Sequence, residues 1–244
     1  RDDVESRGLG DVYKRQDTTL VSVMAVNNEI GSIQPIHDIA ALLEDRPTIS
    51  FHVDAVQALA KVATEVYLPE RVDFATFSSH KFHGLRGVGF VYIKEGKKIT
   101  PLLTGGGQEK EMRSTTENVA GIAATAKALR LAMENQEAFA SKTQQMKEVI
   151  RKELANYPDA TIFSGEDYFA PHILTFGIKG VRGEVVVHAF EEFDIYISTT
   201  SACSSKAGKP AGTLIAMGVD KSIAQTAVLS LIHISEPTRL DVIS

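Results

Sequence analysis

Residues 72–84, VDFATFSSHKFHG, hold the pattern that decides the fold of this chain. An apolar run rich in β-branched and aromatic residues ends at Phe77, and small hydroxyl residues, a lysine and two histidines follow it directly. The run predicts a buried strand. A lysine just past such a strand usually does no more than reach solvent. The rest of the sequence therefore decides whether Lys81 has a chemical role.

Similar strand-like runs lie on both sides of this one. They are TTLVSVMAV (18–26), TISFHVDAV (48–56) and GVGFVYI (87–93). The stretch PIHDIAALLED (35–45) opens with proline and repeats apolar residues at helical spacing, which predicts a helix beginning near Pro35. Alternating strands and helices indicate an α/β fold with a largely parallel sheet. We therefore expect residues 17–125 to form most of a large α/β domain.

The second half of the chain predicts a smaller α+β domain. Residues 116–157 are rich in Ala, Glu, Lys and Gln, and we expect a long spacer helix there that is broken once. Strand candidates then follow at ATIFS (160–164), HILTFGI (172–178) and IYIST (195–199), around the helix-like GEVVVHAFEEF (183–193). The second domain is expected to span residues 126–228.

The two ends do not share this pattern. RDDVESRGLGDVYKRQ (1–16) lacks apolar periodicity, and LIHISEPTRLDVIS (231–244) interrupts an apparent strand, SIAQTAV (222–228). Both ends resemble translated sequencing-adapter sequence. We therefore expect residues 1–16 and 229–244 to be artefactual tails outside the fold.

Composition favours small-molecule chemistry. The 244 residues carry a formal charge of −5, which gives no basic surface for nucleic acid. No apolar run approaches the roughly 18 residues that a membrane span needs. The single cysteine, Cys203, has no partner for an internal disulfide, as is typical of a reducing compartment such as the cytoplasm. The histidines show no metal-binding spacing, and one cysteine does not supply a zinc or cluster cage.

Several polar side chains follow the predicted strands and form a candidate site. Asp54 ends one strand and precedes Lys81 by 27 residues, since 81 − 54 = 27. In an open parallel sheet the carboxyl ends of adjacent strands line one crevice. The residues expected to converge there are Asn28, Asp54, Gln57, Ser78, His80 and Lys81.

Each of these residue types meets one requirement of a pyridoxal phosphate site. A lysine amine condenses with the cofactor aldehyde, and a carboxylate keeps the pyridine nitrogen protonated so that the ring accepts electrons. Asn and Gln side chains donate to the ring oxygen, while Ser and His bind phosphate. No single element is specific, because an Asp after a strand is often a cap or a turn former. The prediction of a pyridoxal phosphate site therefore rests on the whole set of residues in this order.

Five ordered blocks resemble a known family. They are VSVMAVNNEIGSIQPI, FHVDAVQALAKV, FSSHKFHGLRGVGFVYI, GGGQEKEMRSTTENVAGI and TTSACSSKAGKP. These blocks look like successive parts of the pyridoxal-phosphate cysteine desulfurases of the NifS/IscS type, within the class V aminotransferase-like group. The resemblance runs from about Asp17 to Val228. It implies fold type I of the pyridoxal phosphate enzymes, with both domains incomplete.

The resemblance also implies roles for individual residues. Lys81 corresponds to the Schiff-base lysine and Cys203 to the cysteine that becomes a persulfide. The implied cofactor contacts are Asp54 to the ring nitrogen, Asn28 and Gln57 to the ring oxygen, Ser78 and His80 to the phosphate, and Thr116 to the phosphate held by a partner subunit. The implied reaction converts L-cysteine to L-alanine and passes sulfur to an acceptor protein, either an iron-sulfur scaffold or a tRNA-thiolation enzyme. A homodimer is implied as well.

Cys203 has support from its own surroundings. A lone cysteine is more often an inert small hydrophobic residue than a nucleophile. Here small polar residues, Gly and Pro surround it, which predicts an exposed loop, and Lys206 favours the thiolate. A thiol that reaches a cofactor and then an external acceptor needs to lie on an exposed loop of this kind.

The sequence departs from the family in three places. Residues 113–116 are RSTT where family members usually have RSGT. The family's N-terminal phosphate loop and ring-stacking histidine have no counterpart here, and neither has the arginine expected after Val228. We therefore expect the 244-residue chain itself to be inactive. Class V transamination, selenocysteine lyase activity and a non-catalytic fragment are the alternatives.

Overall fold

The computed structural model describes residues 17–199 and 211–232, which divide into two compact units. The first unit contains residues 17–25 and Gln34–Gln136, and the second contains Val26–Ile33 and the residues from Glu137 onward. The sequence analysis placed the division at residue 125 and kept residues 26–33 in the first domain. Contacts between residues place it eleven residues later and assign the 26–33 segment to the second unit.

A four-stranded sheet with the order β1-β2-β3-β4 organises the first unit. Its strands are β1 (Leu20–Met24), β2 (Ser50–Asp54), β3 (Phe74–Ser78) and β4 (Gly89–Ile93). The first three strands run parallel, and β4 is antiparallel to β3. The prediction of an α/β fold with a largely parallel sheet is confirmed.

Three helices accompany this sheet: α1 (Ile36–Leu42), α2 (Thr64–Tyr67) and α3 (Val119–Glu134). Helix α1 begins one residue after Pro35, as predicted, because proline fits the start of a helix, where an amide hydrogen has no partner. Its Ile36 and Ile39 are buried, as are Phe51 and Val53 of β2. The intervening His52 and the final Asp54 lie on the opposite, more open face of β2.

The second unit is an antiparallel sheet with helices, as the α+β prediction required. The strand order is β5-β6-β8-β7. The strands are β5 (Ala160–Ile162), β6 (Ile173–Ile178), β7 (Ser198–Thr199) and β8 (Ala227–Leu231). The helices are α4 (Gln136–Leu154), α5 (Gly183–Glu191), α6 (Gly212–Ala216) and α7 (Lys221–Ala224). The expected break in the long helical region lies at Asn135, between α3 and α4.

The last strand differs from the prediction. Residues 221–224 are helical, so SIAQTAV is not one strand, and β8 begins at Ala227. Strand β8 continues to Leu231 and pairs with both β6 and β7. Leu229 is buried there, although the sequence analysis assigned it to the foreign tail. An apolar residue at an inward position of a paired strand is buried whatever its origin.

Among the residues that the structure describes, no helix is both long and apolar enough to cross a membrane.

Candidate active site

The carboxyl edge of the first unit's sheet carries the candidate residues. Asp54 is the last residue of β2 and Ser78 is the last residue of β3. Because β2 and β3 are parallel, with Asp54 paired to Thr76, both ends lie at the same edge. Lys81 follows within a single 3-10 turn, Ser79–Phe82. The structure therefore brings Asp54, Ser78, His80 and Lys81 to one edge of one sheet.

The turn that carries Lys81 is firmly held. The amide of Ser79 donates to the Val88 carbonyl at 3.0 Å, and the amide of Gly84 donates to the Ser79 carbonyl at 2.8 Å. The Ser79 hydroxyl lies 2.8 Å from the Thr125 hydroxyl of α3, and both residues are buried. Phe82 is also buried, whereas His80 is exposed and Lys81 is half-buried. An amine mounted in this way is accessible while its backbone is fixed.

Close packing explains the glycine that follows the turn. A Cβ atom added to Gly84 would lie 2.8 Å from the Ser79 Cβ and 3.0 Å from the Ser79 oxygen. Only glycine allows the chain to return this tightly over Ser79. His83, just before it, has a left-handed backbone with φ 66°. The sequence analysis did not identify these contacts, because Thr125 is 46 residues from Ser79 and the approach of Gly84 to Ser79 depends on the exact path of the turn.

Asp54 is exposed and lies on a polar face of the sheet. Its Oδ1 accepts a hydrogen bond from the Val56 amide at 3.0 Å, so the carboxylate also caps the turn after β2. On the same face His52 lies between the hydroxyls of Ser22, at 2.7 Å, and Thr76, at 3.1 Å. Burial lowers the pKa of His52, and the charge of Asp54 opposes that shift. His52 is thus part of a hydrogen-bonded row that spans three strands.

The local electrostatic field near Lys81 is positive. Partial desolvation lowers the pKa of His80 although the side chain is exposed, and the charges of Lys81, Arg86 and Lys61 lower it further. Lys61 itself is buried, and burial followed by repulsion from Lys81 lowers its pKa to about 8. The sequence analysis missed Lys61. The signal in the sequence was a lysine within the apolar run ALAKV, because a charged side chain in a buried apolar segment cannot easily reach water.

The remaining predicted residues have different positions. Gln57 is buried in the turn after β2, close in sequence to Asp54. Asn28 is exposed in the segment that belongs to the second unit. Thr116 is exposed in the connection before α3. Cys203 and Lys206 lie outside the described residues. The sheet edge therefore accounts for five of the eight predicted site residues: Asp54, Gln57, Ser78, His80 and Lys81.

The residues at this edge fit pyridoxal phosphate. Lys81 supplies a half-exposed amine and Asp54 an exposed carboxylate. Ser78 supplies a hydroxyl, and His80 lies among cations that favour a dianionic phosphate. The buried Lys61 amine has no hydrogen-bond partner among the described residues, which adds to the unbalanced positive charge. Within residues 17–199 and 211–232, no group of three His, Cys, Asp or Glu side chains is placed to hold a metal ion.

Sequence comparison finds one matching family along almost the whole chain. Residues 11–238 match the family described as aminotransferase class-V. A "NifS/IcsS protein homolog" of Lactobacillus delbrueckii subsp. bulgaricus is 54% identical over 214 residues, which are 87% of this chain and 56% of the relative. A "Cysteine desulfurase IscS" of Clostridium botulinum is 39% identical over 211 residues, which are 85% of this chain and 53% of the relative.

Solved structures show the same fold. A NifS-like protein superposes with a TM-score of 0.81 at 37% identity, covering 93% of this chain and 60% of that chain. The chain spans about half the length of the curated relatives that it matches. The mainly parallel sheet, the smaller antiparallel unit and this likeness agree with fold type I, which the sequence resemblance implied.

Proposed function

We propose, on the premise that the chain belongs to the aminotransferase class-V family, that the full-length protein is a pyridoxal-phosphate-dependent cysteine desulfurase. Its substrate is L-cysteine, its products are L-alanine and a persulfide on Cys203, and its cofactor is pyridoxal 5′-phosphate. The names of the relatives favour this activity over transamination. The observation that carries the proposal is the placement of Lys81 and Asp54 at one edge of adjacent parallel strands.

The sheet edge provides the groups that hold the cofactor. When bound, pyridoxal phosphate supplies an aldehyde for amines and a ring that takes up the electron pair released at the substrate α-carbon. The exposed Asp54 carboxylate stabilises positive charge on the ring nitrogen. Ser78 and His80 hold the phosphate, and Gln57 donates to the ring oxygen, while the role of Asn28 at that oxygen rests on the sequence resemblance alone. Thr116 belongs to the phosphate site of a partner subunit in a homodimer.

Lys81 moves the proton at the substrate. Its amine, once free, accepts the proton from the substrate α-carbon and returns one to the product. The turn that carries Lys81 is fixed, because Ser79 and Phe82 on either side of the lysine are buried. Its Nζ atom is therefore held near that carbon without a flexible loop having to become ordered first. The half-exposure of Lys81 lets a substrate amine approach.

Cys203 takes the sulfur. Its thiolate attacks the sulfur of L-cysteine, so a sulfur–sulfur bond forms while the substrate carbon–sulfur bond breaks. The β-carbon then gains a proton and leaves as L-alanine, and the enzyme thiol has gained one sulfur atom. The acceptor of that sulfur is a protein of iron-sulfur assembly or tRNA thiolation, in the cytoplasm.

The first test replaces Lys81 in the full-length protein. Lys81→Ala should abolish turnover and covalent attachment of the cofactor, measured by borohydride reduction and peptide mass. Lys98→Ala removes an exposed lysine beyond the other end of β4 and should leave both readouts unchanged. Reduced cofactor found on another lysine of the Lys81→Ala protein would refute the assignment.

The second test separates the two chemical roles. Cys203→Ser should keep cofactor attachment to Lys81 but lose persulfide formation. Product analysis of the unmodified protein distinguishes the rival activity, since alanine with persulfide supports a desulfurase and a 2-oxo acid supports a transaminase. Normal persulfide yield from Cys203→Ser would assign that thiol a structural role.

A further inference from the structure

Lys61 is a buried amine without a hydrogen-bond partner among the described residues. Only 6% of the residue is exposed, and its Nζ atom is sealed from water. The surrounding turn is apolar, since Ala55, Ala58, Leu59 and Val62 are all buried as well. Burying a charged ammonium without an acceptor is strongly unfavourable. The position therefore lacks a negative partner when the amine is charged.

The backbone around Lys61 is fixed. The amides of Lys61 and Val62 both donate to the Ala58 carbonyl, at 3.0 and 2.9 Å. Gln136 Nε2 donates to the Val62 carbonyl at 2.5 Å, which ties the turn to the first residue of α4. Ala60 has a left-handed φ of 60°, a conformation that costs an alanine about 1 kcal/mol. The fold thus holds Lys61 in place despite the cost of burying it.

The groups that interact electrostatically with Lys61 are basic. On the 3-10 turn these are Lys81, whose charge repels that of Lys61, and His80, which interacts with both lysines. Arg86, from the loop before β4, also acts on His80. The acidic residue of this edge, Asp54, acts on His52 of its own strand. Four basic side chains from three segments therefore share one region.

We propose that Lys61 is a proton-linked oxyanion-binding residue: a phosphate dianion bound beside His80 and Lys81 pairs with Lys61 and brings a proton onto its amine. This proposal rests on the proposed function, because the phosphate belongs to the cofactor site. Lysine has four rotatable side-chain bonds, so Nζ can turn toward an anion while the backbone stays fixed. Without an anion the apolar turn lowers the pKa of the amine, so the neutral form predominates above about pH 8.

Binding of phosphate therefore takes up a proton from solution. At pH 8.5 an amine whose pKa is about 8 is mostly neutral before binding. An adjacent dianion favours the charged form, so we expect uptake of about half a proton or more per bound phosphate. Inorganic phosphate is already dianionic at this pH, and His80 is neutral because its pKa lies below the ordinary 6.5. The uptake then reports mainly on Lys61.

Calorimetric titration of the 244-residue chain with inorganic phosphate tests this. Titrations at pH 8.5 in buffers of different ionisation enthalpy give both affinity and proton uptake. Lys61→Met, which conserves volume, should weaken phosphate about tenfold and abolish the uptake. Lys61→Arg keeps a permanent charge and should bind phosphate without uptake. Lys98→Met, the matched exposed control, should behave like the unmodified chain.

Two results would overturn the proposal. One is an unmodified chain that binds no phosphate, and the other is a Lys61→Met chain with unchanged affinity and proton uptake. A folded Lys61→Arg chain that binds no better than Lys61→Met also counts against it. Competition by pyridoxal phosphate but not by pyridoxal identifies the cofactor's phosphate as the ligand. Lys61-dependent uptake without that competition supports Lys61 as a site for free phosphate and counts against the proposed cofactor.

Discussion

At the scale of single residues, Asp73 shows how hydrogen-bond donors stabilise a buried carboxylate. Its Oδ2 accepts from the Phe51 amide and from Arg71 Nη1, both at 2.9 Å, and Lys97 Nζ lies 3.1 Å from Oδ1. Burial alone would raise the pKa of Asp73. The Phe51 amide, Lys97 and Arg71 outweigh burial and lower the pKa below its ordinary 3.8. The ionised carboxylate therefore links β2 to the segment just before β3 and to the turn after β4.

We expect Asp73→Asn to reduce the free energy of unfolding at pH 7 by about 3 kcal/mol, because it leaves buried donors without their charged partner. A carboxyl group with a lowered folded pKa stabilises the fold above its unfolded pKa, and this contribution is lost as pH falls through the folded value. Urea unfolding at pH 7 and pH 3 should show the difference shrinking in acid. Asp45→Asn, an exposed control, should change little. An equal loss at both pH values would contradict the role of ionisation.

At the scale of elements, the strand followed by a tight turn is the unit that makes the site. Strand β3 ends at Ser78, the turn Ser79–Phe82 follows, and the chain returns over Ser79 at Gly84. The strand was predictable from its apolar run, and so was its place beside β2. The turn geometry was not, because it depends on Thr125 of α3, 46 residues from Ser79.

Gly84→Ala should distort this turn. The new Cβ would lie 2.8 Å from the Ser79 Cβ, so the backbone near Lys81 must shift. We expect a loss of stability of about 1–3 kcal/mol. In the full-length protein, covalent attachment of the cofactor to Lys81 should fall with it. Gly107→Ala is the control, since no atom lies within 4 Å of its added Cβ. If Gly84→Ala and Gly107→Ala have equal melting temperatures, the protein accommodates the new Cβ atom beside Ser79 with little loss of stability.

At the scale of the whole molecule, apolar surface is left uncovered in the first unit. Strand β4 ends the sheet among the described residues, and Val91 is 45% exposed within it. Leu102, beyond the strand, is 94% exposed. Edge strands with apolar side chains favour pairing with other chains.

We therefore expect the 244-residue chain to self-associate and Val91→Lys to reduce that association. A charge at the centre of an edge strand opposes edge-to-edge pairing. Light scattering and sedimentation at several concentrations would measure it. Thr100→Lys adds the same charge at an exposed position outside the strand and serves as the control. If Val91→Lys and Thr100→Lys reduce association equally, the added charge explains the reduction and β4 is not the contact surface.

The amino-acid sequence by itself determined the fold class, the parallel strands, a single break within the helical region 116–157 and the likeness to the desulfurases. These follow from local periodicity and from short ordered motifs, which are carried by neighbouring residues. It also selected Asp54 and Lys81, because strand ends in a parallel sheet meet at one edge. The chemical roles of all eight site residues stay predictions.

Only the tertiary structure decided how Lys81 is held and what charge surrounds it. The Ser79–Thr125 contact joins residues 46 positions apart, the approach of Gly84 to Ser79 depends on the exact path of the backbone, and the burial of the Lys61 amine depends on what surrounds it in space. It also decided that β8 extends past Val228 and that residues 26–33 belong with the second unit. Burial and electrostatic interaction depend on which atoms lie nearby in space. The sequence pattern alone does not give those distances.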